Sequence, residues 1–447
     1  MNLTINQINF NNCNLALLKS KNKEQRSYAQ INLLSLNASL ALKNQILFGA
    51  NRQMQQKEAL LQDVIKENSL PIQPQTLDFV LTPPLEKEGT YLKYSKTGSK
   101  FFELYSRCLL HKDYPIKDEG ELTDIVADFI KRKNKSRIIN NFIPQNLLPQ
   151  SENKSLTQSA QADCLNAFLG AIIYENEDGF KVAFDFLNEK IGKGIYPEGL
   201  ILEESPFEKL ANIVEQKGYS WKDLYQETRF YNEQWHYKVH FKDLVLSEAR
   251  GGKCGHGLRE GCIADAIEKI ESGEINFDEA GEDLTYINYK KPTGQRVEEL
   301  KDFCQKWGLE FSDISLLHKA FLYGEMEDGS TLAHCDTYET LEYVGDAVLG
   351  FCVHEILQNN LPNATRREIC PKRHYFTRNE NLVSLAKEMK LPDYAINRNE
   401  TQANKRPADM FEALIGAIFI DGKENGFDNA YEFLDKHFRD KICDQTY

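Results

Sequence analysis

The sequence predicts a mainly α protein in which a duplicated helical unit flanks a small α+β module of αβββα order. Residues 161–187 and 407–434 share a skeleton of AD, A, GAI, GF and FL. Residues 91–104 and 338–351 match at nearly the same offset, about 246 residues, with Gly98 falling on Gly345. Between the copies, residues 225–249 alternate like half-buried strands and are flanked by helical apolar spacing.

Length and composition limit the class of protein. The chain has 447 residues, enough for about three domains at roughly 150 residues each. An apolar content of 41% excludes a wholly disordered chain. No apolar run approaches the roughly 20 residues that cross a bilayer, so we expect a soluble protein with no membrane partner. The net charge of −13 excludes a broad basic surface, and any polyanion must be held by local sites or metal ions.

The cysteines indicate a reducing compartment. Ten cysteines are scattered without CxxC pairs, which fits reduced thiols better than a disulfide framework or a zinc site. We therefore expect an intracellular protein, cytoplasmic or nuclear. The first 23 residues contain no acid and several Lys and Asn, which leaves an organelle as the alternative compartment.

The repeats set the predicted domain boundaries. We expect the first copy in residues 1–198, the α+β module in 200–275, an acidic and Gly/Pro-punctuated linker in 276–298 and the second copy in 299–447. Within the module, residues 206–216 and the stretch after the glycine-rich GGKCGHG turn predict helices. The segments YQETRF, HYKVHF and KDLVLSEA predict the three strands.

Five acids of the second copy are predicted to share one site. On a helix, Glu339, Glu342 and Asp346 fall within about 60° of one another. A downstream helix carries Asp409 and Glu412 on one side. If the two helices pack face to face, the gathered carboxylates repel unless a cation balances them, and Mg²⁺ suits such oxygen ligands. The alternative for each helix taken alone is a solvated amphipathic face.

The stretch ETLEYVGDAVL (339–349) resembles the signature motif of the ribonuclease III family, and ADMFEALIGAIFID (408–421) resembles that family's second acidic helix. The similarity runs through most of residues 300–440. It implies two all-helical ribonuclease III-type domains and hydrolysis of double-stranded RNA with Mg²⁺, or alternatively Mn²⁺. By position it implies metal-binding catalytic roles for Glu342, Asp346, Asp409 and Glu412, and Glu339 matches the acid that opens the signature.

Departures from the family pattern affect the first copy most. The offset places these residues at the five acidic positions: Leu92, Ser95, Ser99, Asp163 and Asn166. A lone aspartate cannot hold a two-metal centre, which predicts a catalytically silent first copy. The alternative is a shifted register in which another acid such as Glu103 serves. A second departure, His334-Cys335-Asp336 ahead of the signature, is interpreted as incidental rather than as a metal cluster.

The module of residues 206–271 resembles a double-stranded-RNA-binding domain, which reads A-form RNA by shape and backbone contacts. The resemblance implies RNA-binding roles for His236, Lys253 and Arg259, with His236 in the loop after the first strand. Leu258 and Cys262 stand where lysines are usual, so the phosphate grip is expected to be feeble. The alternative is a module used for packing or protein contact.

Family members work as paired domains that cut opposite strands, and tandem members of the Dicer and Drosha type form the pair within one chain. The resemblance therefore implies double-stranded RNA as partner, with either intramolecular pairing of the two copies or a homodimer through the C-terminal copies. The predicted function is an endoribonuclease that uses the C-terminal copy. The alternative is a non-catalytic scaffold in a ribosomal or RNA-processing assembly, favoured by the silent first copy and the acidic charge.

Overall fold

The computed structural model describes residues 54–84, 89–117, 119–200, 202–252, 256–281, 291–323, 337–362, 364–396 and 406–444. Lys253 and the triplet His334-Cys335-Asp336 lie outside these ranges. The chain divides into two units, residues 1–78 and 79–447. Residues 54–68 form helix α1, and helix α2 spans Pro74–Leu81. Within the described ranges, no helix has the length and apolar character that a membrane span requires.

The first helical copy is built on two long helices, α3 (Gly89–Asp113) and α6 (Lys154–Glu175), which pack closely. Helices α4 (Glu119–Phe129), α5 (Arg132–Asn140) and α7 (Gly179–Phe186) surround this pair. The close crossing requires glycine, because a Cβ on Gly98 would collide with the carbonyl oxygen of Asn166. Gly170 meets the carbonyl oxygen of Tyr94 in the same way.

The second copy repeats this arrangement. Its helices are α10 (Gln295–Trp307), α11 (Ile314–Ala320), α12 (Glu339–Asn360), α13 (Arg366–Phe376), α14 (Asn379–Glu388), α15 (Arg406–Asp421) and α16 (Gly426–Cys443). Helices α12 and α15 form the long pair. A Cβ on Gly345 would collide with the carbonyl oxygen of Glu412, and one on Gly416 with that of Leu341. The crossings in the two copies therefore use glycines at the offset read from the sequence.

The two copies pack against each other within one chain, chiefly through α3 and α12. The rings of Phe101 and Phe351 lie 6.1 Å apart between centroids. A buried polar contact accompanies them, because Thr97 donates to Glu355 Oε1 at 2.9 Å and Tyr174 donates to Glu355 Oε2 at 2.8 Å. Apolar packing and a buried hydrogen-bonded carboxylate together define this interface.

The middle module has the predicted αβββα order. It consists of α8 (Pro206–Gln216), β1 (Leu224–Tyr231), β2 (Gln234–Phe241), β3 (Leu244–Gly251) and α9 (His256–Ser272). The strands form an antiparallel sheet in the order β1-β2-β3. A Ser205/Glu208 capping box and Pro206 start α8. The prediction of a mainly α protein with one small α+β module is confirmed.

Folded residues lie at both ends of the predicted linker, residues 276–298. Phe277 is 5% exposed and belongs to the core of the module, where its ring centroid lies 4.8 Å from that of Phe241. At the other end, α10 already begins at Gln295. A single aromatic side chain can cover the open edge of a small core, and a composition window does not register it. The domain boundaries themselves stay a prediction.

Candidate active site

The crossing of α12 and α15 brings three carboxylates together. Oxygens of Glu342, Asp409 and Glu412 all lie within 4.8 Å of one another. The crossing is tight because Gly345 rests against the backbone of Glu412, so the side chains that flank this contact converge. Glu412 is 8% exposed. The site thus combines three oxygen donors with partial exclusion of water.

Burial and mutual repulsion shape the electrostatics of this cluster. Burial raises the pKa of Glu342 to about 10, with Asp409 as the next contributor. Burial raises the pKa of Glu412 to about 9, and Asp346 and Asp409 add to it. Carboxyl groups whose ionisation is disfavoured in this way ionise readily once a cation lies between them. The donor set, three carboxylates and no nitrogen or sulfur, fits a hard divalent ion.

The other two predicted acids lie at the margin of the cluster. Asp346 has a side chain 48% exposed, and its charge acts on Glu412. Glu339 begins α12, is half-buried and raises the pKa of Glu342. The structure therefore gathers Glu342, Asp409 and Glu412 most tightly, with the remaining two close enough to act on them electrostatically. Their catalytic roles stay predictions.

Two residues of the first copy also face this site, and the sequence reasoning missed both. Arg107 Nη2 lies 2.9 Å from Asp346 Oδ2 and its Nη1 donates to the Tyr343 carbonyl oxygen at 2.8 Å. Burial raises the pKa of Glu119, although Arg107 lowers it, and Glu339 is among the acids that raise it further. The sequence did contain one signal, because both residues differ in type from their counterparts in the second copy. The repeat offset aligns Arg107 with His354 and Glu119 with Arg366.

In the first copy a lysine occupies the equivalent place. Lys135 is 5% exposed, and its Nζ donates to Asn166 Oδ1 at 3.0 Å and to Ser99 Oγ at 3.4 Å. These two residues are the counterparts of Glu412 and Asp346 by the offset. Burial lowers the pKa of Lys135 to about 8, while Glu103 and Asp163 oppose that shift. The Lys135 ammonium group therefore lies between Asn166 and Ser99, in the place that corresponds to the acidic cluster of the second copy.

The register of this comparison is supported by a matching contact in the neighbouring helices. Asn134 Nδ2 donates to the Phe129 carbonyl oxygen at 3.0 Å in the first copy. Asn381 Nδ2 donates to the Phe376 carbonyl oxygen at 2.9 Å in the second. Lys135 follows Asn134 directly, so its counterpart in the second copy is the buried Leu382. Glu103, the alternative acid, instead pairs with Lys100 Nζ at 2.7 Å.

One of the predicted RNA-binding residues, His236, does not lie in the loop where it was expected. His236 lies inside β2, paired in register with Arg229 and Arg250, and is 6% exposed, so it is not an exposed loop residue. The reason is a two-residue turn at Asn232 and Glu233, both with positive φ, which leaves no loop after β1. Arg259 lies with its guanidinium carbon 5.9 Å from the Tyr237 ring centroid. RNA binding by the module stays a prediction.

The helix crossing that holds the acidic site lies in the part of the chain that a family model matches. Residues 339–423 match the family model of the Ribonuclease III domain.

Relatives cover part of the chain. Ribonuclease 3 of Bacillus velezensis is 29% identical over 169 residues, which are 36% of this chain and 67% of that protein. Ribonuclease 3 of Nitrobacter winogradskyi is 31% identical over 144 residues, 31% of this chain and 53% of its own length. The solved structure of Dicer from Giardia intestinalis covers 82% of this chain and 55% of its own at 13% identity, with a TM-score of 0.45. The chain thus spans between about half and two thirds of these curated relatives.

Proposed function

We propose that the C-terminal copy hydrolyses phosphodiester bonds of double-stranded RNA with a divalent ion, Mg²⁺ or alternatively Mn²⁺, and that the first copy is structural. The observation that carries this proposal is the convergence of Glu342, Asp409 and Glu412 within 4.8 Å on two crossing helices. Partly buried carboxylates this close are costly unless a cation is shared among them.

The side chains would divide the work between binding and orientation. Glu342, Asp409 and Glu412 would hold the ion, and Asp346 would complete the set from the more exposed margin. When bound, the ion supplies stabilisation of the charge that develops on the phosphodiester. Because the pKa values of Glu342 and Glu412 are raised, these groups release protons when the ion binds. Glu339 would add charge at the start of α12.

The chain would carry a single centre. Lys135 occupies the first copy's equivalent position, and only Asp163 remains there of the five acids. Pairing of the copies through α3 and α12 within one chain leaves one set of acids per particle. We infer that such a particle nicks one strand of a duplex.

The test is cleavage of a long RNA duplex by the purified full chain, with Mg²⁺ and with EDTA. Wild-type protein should cleave only with the metal. Glu412→Gln should lower the rate by at least about 100-fold, because a buried ion ligand is lost. Glu380→Gln, an exposed glutamate on α14, is the matched control and should cleave like wild type. Absence of cleavage by folded wild type at every Mg²⁺ and Mn²⁺ concentration would refute the proposal and favour the scaffold alternative.

A further inference from the structure

Arg107 extends from the first copy into the site of the second. Its side chain is 12% exposed, and both terminal nitrogens are engaged on α12, with Nη2 on Asp346 Oδ2 at 2.9 Å and Nη1 on the Tyr343 carbonyl oxygen at 2.8 Å. The guanidinium carbon lies 5.0 Å from the Tyr343 ring centroid. A planar fork held by a backbone carbonyl and an aromatic face has little freedom to move. Its contact with Asp346 is therefore preorganised, unlike a surface ion pair.

The contact constrains an acid that is far more exposed than Glu412. The side chain of Asp346 is 48% exposed, whereas Glu412 is 8% exposed. An aspartate at the rim of a cluster samples several rotamers unless a partner holds it. With Oδ2 held by Arg107, the second oxygen of Asp346 stays available to a ligand. Partners that orient a metal-binding carboxylate in this way tune metal affinity.

The counterpart position on the second copy cannot supply the same charge. The repeat offset aligns Arg107 of the first copy with His354 of the second. His354 is 4% exposed, and burial lowers its pKa to about 3, so the imidazole is neutral. The Nε2 atom of His354 lies 3.3 Å from Thr97 Oγ1. Of these two equivalent residues, Arg107 is therefore the one that carries a positive charge.

We propose that Arg107 is a positioning residue of the C-terminal centre, supplied by the silent first copy, which holds Asp346 in the orientation that binds the divalent ion. This inference rests on the proposed function. It gives the first copy a part in orienting the site, since pairing of two C-terminal copies would place His354 where Arg107 stands.

The test measures Mn²⁺ binding to the full chain in the absence of RNA. Arg107→Ala should weaken binding by roughly 10- to 100-fold, the usual cost of losing an orienting partner. Arg107→Lys should recover part of the loss, because lysine restores the charge but lacks the rigid planar fork that holds Asp346 and the Tyr343 carbonyl together. The Mg²⁺ concentration for half-maximal cleavage should be lowest for wild type, higher for Arg107→Lys and highest for Arg107→Ala.

The sign of the change separates positioning from simple electrostatics. If only Coulomb repulsion mattered, removing a positive charge beside a cation site would tighten cation binding. Weaker binding by Arg107→Ala therefore reports lost orientation, and unchanged or tighter binding overturns the inference. Arg137→Ala is the matched control, since Arg137 also binds two carbonyl oxygens, those of Gly194 and Tyr196, but only within the first copy. It should leave Mn²⁺ affinity unchanged.

Two further outcomes keep this inference distinct from the proposed function. If Glu412→Gln abolishes Mn²⁺ binding while Arg107→Ala binds like wild type, only the role of Arg107 is refuted. If wild-type protein binds no Mn²⁺, the proposed function fails and the role of Arg107 fails with it. Where Arg107→Ala does not fold, Arg107→Lys decides, because affinity equal to wild type in that variant contradicts the need for the fork.

Discussion

Three buried ionisable groups are stabilised by three different means. Glu412 lies among other carboxylates, Lys135 lies against neutral oxygens and Glu355 accepts hydrogen bonds from Thr97 and Tyr174. Burying a charge costs free energy, and that cost falls when hydrogen-bonding or charged partners replace the lost water. Only the group around Glu412 leaves excess negative charge for a cation to neutralise.

Glu355 predicts a pH dependence of stability. Burial raises its pKa, although hydrogen bonds from Tyr174 and Thr97 and the charge of Lys93 oppose the shift. A carboxyl with a raised folded-state pKa stabilises the fold fully below its unfolded value and loses that contribution as pH rises toward the folded value. The free energy of unfolding of wild type should therefore fall more between pH 5 and pH 8 than that of Glu355→Gln.

Chemical denaturation across this pH range measures the difference. Tyr431 also faces Glu355, but Tyr431 stays neutral throughout the range because its own pKa is raised. Glu380→Gln should show the wild-type pH slope, since that side chain is exposed. Equal slopes for Glu355→Gln and wild type would contradict the prediction.

At the scale of elements, the two copies share a helix crossing and differ in what lies beside it. Gly98 and Gly345 both rest against a carbonyl oxygen of the partner helix, so the backbones approach equally in both copies. The neighbouring helix then sets the chemistry, because α5 contributes Lys135 and α14 contributes the apolar Leu382. The same arrangement of helices therefore holds an acidic cluster in one copy and a buried ammonium group in the other.

Restoring one acid to the first copy should not restore a metal site. In Asn166→Glu the new carboxylate would pair with Lys135, and Ser95 and Ser99 would still offer no charge. Mn²⁺ binding should stay at one centre per chain. Adding Ser95→Glu and Ser99→Asp should create a second centre only when Lys135→Leu is included.

Equilibrium dialysis with Mn²⁺ compares the triple variant with and without Lys135→Leu. The pair differs at one side chain, so the comparison isolates the ammonium group. A second centre in Asn166→Glu alone, or a second cut in a duplex, would show that the register of the first copy is wrong.

At the scale of the whole molecule, the packing of the two copies against each other predicts how a duplex is cut. The contacts of α3 with α12, including Phe101 against Phe351, occur within one chain. We expect a native particle of one chain, 51.4 kDa, that nicks one strand. Native mass spectrometry gives the mass, and a duplex labelled on both strands, run on native and denaturing gels, distinguishes nicking from double cutting. A two-chain particle that cuts both strands would contradict internal pairing as the working state.

Sequence reasoning identified which side chains share a helix face, but not every contact that those side chains make. The acids Glu342, Asp409 and Glu412 follow from helical periodicity, since spacing along a helix fixes which side chains share a face. The strands of the module follow from alternation in the same way. The buried position of His236 was missed because it depends on the length of the turn before β2, which composition does not fix.

The sequence alone determined the duplication, the mainly α architecture and the acids of the second copy, because these are encoded in local periodicity and in motifs that need no partner. Only the tertiary structure decided that Lys135 fills the first copy's site and that Arg107 reaches Asp346 from the other copy. Both contacts join segments far apart in the chain. Their existence depends on how the helices pack in space, which no local pattern in the sequence records.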